Sequence, residues 1–170
     1  MRFPRRFDEA WMHPPDAAGV VDAALALRLR AWCEGGAFPS LTEPLRVAST
    51  APHPALDGAA CALDGSHELA RRGRWRGLLW RMQILWRDCA ATGALATDPW
   101  DCGWWRPESL GLAAAFRPRR ATLLMVRDVD RTAAVAWVST LREGGAADAY
   151  EFPVRVLVVS TPALGGMSRL

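Results

Sequence analysis

The chain has 170 residues, 51% hydrophobic and 23% charged, a length that fits one domain able to bury roughly 70% of the surface its unfolded form exposes. That balance excludes intrinsic disorder and any need for disulfide staples. All 21 basic residues are arginine, against 18 acidic ones, and the formal net charge of +3 is smaller than a dedicated nucleic-acid binder would show.

Residues 1 to 15 contain Pro4, Pro14 and Pro15 and read as an irregular arm that packs through Phe3, Phe7 and Trp11. They carry arginines but no apolar leader segment, and no stretch of the chain reaches the roughly 18 apolar residues of a transmembrane segment. A cytoplasmic location is the expectation. Cys33, Cys61, Cys89 and Cys102 have no paired spacing and read as reduced, mostly buried thiols. No metal site and no cofactor is expected from them.

A first helix is expected from Asp16 to Cys33 or Glu34, capped by the aspartate and stopped by Gly35-Gly36. Leu45 to Thr50 suits a short strand, and Pro52, Pro54 and Gly58 suit a loop lasting to about Gly65. The longest helix is expected from Ser66 to Thr92. Asp98 to Arg106, DPWDCGWWR, reads as a tryptophan-dense loop, and Pro107 opens a short helix over 107–116.

From Ala121 the pattern changes. Ala121 to Arg127 and Val154 to Ser160 are continuous apolar runs of strand length, and Asp130 is placed to cap a helix running to Glu143, stopped by Gly144-Gly145. Two buried strands flanking one helix favour a parallel crossover. The expected fold is therefore α/β, with mixed α+β as the variant. It has a single domain over 1–170, a small sheet containing a β-α-β unit at 121–161, and N-terminal helices packed on that sheet.

The helix at 66–92 is apolar twice over. On a wheel of about 100° per residue, Trp75, Leu78, Leu79, Met82, Leu85, Trp86 and Cys89 gather within roughly 120° and form the expected core face. Gly73, Gly77, Trp80 and Ile84 fall on the far side, bordered by Arg76, Arg81 and Arg87. A glycine notch beside tryptophan and arginine is the composition of interface hot spots. This second face is accordingly the expected binding surface, extended by Trp100 and Trp104. Its alternative is a helix sandwiched inside the domain, with the arginines reaching to the edges.

A protein partner, or a second copy of the chain, suits the glycine notch best. Single-stranded nucleic acid is the next reading, through tryptophan stacking with arginine on phosphate, and a membrane surface comes last.

One stretch carries enzyme-like chemistry. Asp128-Val129-Asp130-Arg131-Thr132 follows a buried strand, and Ser160-Thr161 follows the next. That order locally resembles the first two motifs of haloacid dehalogenase-like phosphotransferases. The likeness implies Asp128 as nucleophile, Asp130 as general acid/base, and Ser160 or Thr161 as a phosphate-binding hydroxyl. The chain departs from that family in having no lysine for its basic position. Capping of a helix N-terminus by the aspartates accounts for the same residues. The function expected from the sequence is that of a non-catalytic binding or accessory protein, the alternatives being a single-stranded nucleic-acid binder and a small phosphotransferase-like or metal-dependent enzyme using Asp128 and Asp130.

Overall fold

In a computed structural model, the described residues are 11–37, 41–89, 98–106, 113–118, 120–127, 129–147, 150–160 and 168–169. The elements are β1 (Met12–His13), α1 (Ala23–Glu34), β2 (Leu45–Thr50), α2 (Leu56–Leu63), α3 (Ser66–Arg71), α4 (Arg74–Cys89), β3 (Asp101–Trp105), β4 (Thr122–Val126), α5 (Arg131–Ala147), β5 (Val154–Val159) and β6 (Ser168–Arg169). The strands form one sheet in the order β1-β3-β4-β5-β2-β6. All neighbours are parallel except β1, which runs antiparallel along β3. The fold is α/β, and β4, α5 and β5 form the expected unit of two adjacent parallel strands joined through a helix.

Strand pleating sends successive side chains to opposite faces, so the continuous apolar runs supply both layers at once. Leu123, Met125, Leu157 and Val159 meet Leu25, Leu29 and Cys33 of α1 and Leu56, Ala59, Ala60 and Leu63 of α2. Leu124, Val126, Val154, Val156 and Val158 meet Ala134, Trp137, Val138 and Leu141 of α5. Helices therefore cover both faces of the sheet, as a parallel sheet requires.

Several boundaries differ from the sequence reading. Helix α1 begins at Ala23 because the Asp22 carboxylate accepts from the Ala24 and Leu25 amides, at 2.9 and 3.0 Å. Asp16 instead closes a turn, its carbonyl accepting from Gly19 N–H at 3.2 Å. The expected loop before Gly65 contains α2, whose alanines pack flat on the sheet. Helix α5 passes through Gly144 and continues to Ala147. Most of the helix expected over 107–116 lies outside the described residues, as do Phe3 and Phe7.

The tryptophan-dense stretch is a strand. Every residue of β3 is buried; Trp100, Cys102 and Trp104 face the α1/α2 layer while Trp105 faces α5. Gly103 lets β1 come close, since a Cβ there would lie 2.8 Å from the His13 carbonyl oxygen. Trp11 then packs edge-on against Trp105, with ring centroids 5.7 Å apart.

An arginine lies in the middle of this core. Arg155 of β5 is fully buried and donates to the carbonyls of Cys33, Gly35 and Glu43, each at 2.8 Å, and of Val154 at 3.1 Å. Burial pulls its pKa down to about 10, still far enough above neutrality to keep it cationic. It ties the end of α1 to the sheet by satisfying carbonyls that the helix leaves open.

Candidate docking surface

Over its described part, 66–89, the expected helix of 66–92 is two helices; its expected end at Thr92 lies outside the described residues. Arg72 is extended, with ψ 134°, and its N–H closes α3 on the Glu68 carbonyl. Gly73 then opens a new helix by accepting from Gly77 N–H at 2.8 Å. The break separates α4 from α3, and both faces of the sheet are already covered by α1, α2 and α5.

With no sheet left to cover, α4 docks through a narrow seam. Ile84 packs on Leu69 of α3, with Trp80 against them, and a Cβ on Gly77 would come within 3.1 Å of Leu69. The Trp80 ring rests on Gly65, whose own Cβ would stand 3.0 Å from that ring and 3.2 Å from Pro99. The Arg72 guanidinium lies 4.5 Å from the centre of the Trp80 ring and is held by Glu68 at 3.0 Å. Small residues make this seam possible: glycine at 65 and 77 leaves room for the large partners opposite.

The seam reverses the expected orientation. Ile84 and Gly77 are buried and Trp80 is half-buried, so the face expected to meet a partner is the one that meets the domain. Gly73 is exposed, with nothing within 4 Å of a built Cβ. Trp100 and Trp104 are core residues of the β3 region and do not extend any surface. Arg76 is exposed and Arg81 partly so; the Arg87 side chain lies outside the described residues.

The face expected to form the core is open instead. Trp75 is 79% exposed, Trp86 70% and Leu79 66%, with Met82, Leu78 and Leu85 also exposed. Apolar periodicity marked both stripes correctly as apolar; only the tertiary placement of α4 decides which one has protein behind it. Single exposed apolar residues are ordinary; here six share one face of one helix.

The enzyme-like residues are placed differently. Asp130 caps α5, accepting from Ala133 N–H at 2.7 Å, while Asp128 and Thr161 lie outside the described residues. Ser160 continues the sheet, its N–H donating to the Thr50 carbonyl at 3.0 Å. On the α1/α2 side of the strand ends, Trp104 Nε1 donates to Asp57 at 2.7 Å and Arg127 lies 4.8 Å from the Trp104 ring centre. These contacts link α2, β3 and β4. Among the described residues no cluster of His, Cys, Asp or Glu stands where it could hold a metal ion, and no helix is long and apolar enough to cross a membrane.

Comparison with protein-family models, with curated proteins and with solved structures finds no match.

Proposed function

We propose that this chain is a non-catalytic binding protein that engages another protein through the outward face of α4. The exposed row Trp75, Leu78, Leu79, Met82, Leu85 and Trp86 carries this reading. Its spacing of three, four and seven residues is that of a helix seated in an apolar groove, and its two tryptophans are the kind of anchor that dominates binding energy. Burying such side chains contributes about 1.5–3 kcal/mol each before the costs of association.

The occupant is a different protein rather than a second copy. Helix α4 carries Arg74, Arg76, Arg81 and Arg87 against one acidic residue, Asp88, so pairing two copies through α4 would bring like charges together.

A photo-crosslinking amino acid at Met82 of the full chain, irradiated in the native source, tests the reading. The expected product is a covalent adduct with another protein, lost when Trp75 and Trp86 are both changed to serine and absent when the crosslinker stands at the exposed Thr132 of α5. An adduct only with nucleic acid or lipid, or none at all, would refute it.

A further inference from the structure

We infer that α4 is a clamped arm, able to open as a unit while the sheet and its covering helices stay folded, with Arg72 as the clamp. Among the described residues, the two clusters that hold the sheet to α1, α2 and α5 contain no residue of α4. What secures α4 is a separate cluster, Leu69 of α3 with Ile84 and Trp80 of α4, the Trp80 ring resting on Gly65. Over residues 74–86 the buried positions are Gly77 and Ile84, and glycine brings no side chain to the seam. Helix α5, by contrast, buries Ala134, Trp137, Val138 and Leu141 in the core that covers the sheet. An element held by so little apolar surface opens at a free energy well below that of global unfolding.

The break between α3 and α4 supplies both the joint and the catch. Gly73 is exposed, with nothing within 4 Å of a built Cβ, so nothing crowds the chain there. Arg72, extended in the break at ψ 134°, reaches both helices. Its Nε donates to Glu68 Oε1 of α3 at 3.0 Å, and its guanidinium lies 4.5 Å from the centre of the Trp80 ring of α4. The ion pair is partly exposed, so each contact contributes little singly and the clamp is weak enough to release. Once undocked, a helix of 16 residues is marginal in water, so opening exposes its amides together. It also frees Trp80 and Ile84, and the open arm then presents apolar side chains on both stripes. The opening is intrinsic to the chain and independent of what α4 engages; the clamp sets how often the inner stripe is available.

Amide hydrogen exchange of the purified full chain, read by mass spectrometry at increasing urea below the unfolding transition, tests this. Amides of residues 78–86 are expected to exchange at least about a hundredfold faster than those of β4 and β5, with a shallow dependence on urea, the mark of a local opening. Arg72→Met should speed exchange over α4 by about five- to tenfold and leave β4 and β5 unchanged. Arg30→Met, which breaks the matching Arg30–Glu34 pair of α1 at 3.0 Å, should leave α4 unchanged. Exchange of α4 at the rate and urea dependence of β4 and β5 would overturn the opening. Arg72→Met without effect on α4, or with an equal effect on the sheet, would overturn the clamp.

Discussion

Ile84 and Trp86 stand two residues apart on α4 and face opposite ways, so truncating each to alanine reads the orientation of the helix. Ile84 is 2% exposed and packs on Leu69. Isoleucine-to-alanine changes in cores cost about 2–5 kcal/mol, and a small cluster whose neighbours relax into the space puts Ile84→Ala near 2 kcal/mol. Trp86 is 70% exposed. A surface change away from caps and buried networks stays within about 0.5 kcal/mol, and the better helix propensity of alanine offsets part of it. Urea unfolding measures the global cost, and amide hydrogen exchange across α4 shows whether Ile84→Ala loosens that helix before the sheet. If Trp86→Ala destabilised the isolated chain as much as Ile84→Ala, the outward face would be a buried one and the proposed docking surface would be lost.

Arg155→Leu should destabilise by about 3–5 kcal/mol, because it strands buried carbonyls at the end of α1 that no aliphatic side chain can satisfy; a loss under about 1 kcal/mol on urea unfolding would show that the four hydrogen bonds do not hold α1. Gly65→Ala combines a left-handed φ of 78° with the close approach of Trp80, so it should cost about 2 kcal/mol and speed exchange in α4, and unchanged exchange would refute the seam. The Asp22 carboxyl is held below its ordinary range by the Leu25 amide, with help from the Ala24 amide, His53 and Arg28 against some desolvation. A depressed folded pKa gives stability that is complete above the unfolded value of about 3.9 and lost as pH falls through the folded one. The stability gap between the wild type and Asp22→Ala should therefore close on acidification below that value, and a gap independent of pH would contradict the cap.

The β-α-β unit was legible from sequence because both of its strands are buried on two faces and its helix has a clear capping residue. Leu123 to Val126 and Val154 to Val159 are apolar at every turn of the pleat except Arg155, and Asp130 caps α5 as expected. Strand β3 was hidden by its own composition: Pro99 and Gly103 look like turn residues, yet Trp100, Cys102 and Trp104 alternate with Gly103 and Trp105 at the strand period. Helix α2 was hidden in the same way, its proline-rich approach and Gly58 outweighing a short alanine-rich face.

Sequence alone determined that α4 carries two apolar stripes separated by arginines, since periodicity and charge are properties of the chain. Which stripe meets the domain was decided by tertiary structure. The glycines at 65 and 77 admit Trp80, Leu69 and Ile84 into a narrow seam, and the sheet, already covered on both faces, has no place for the broader stripe. A helical wheel records angles about one axis; burial depends on what stands opposite that axis in space.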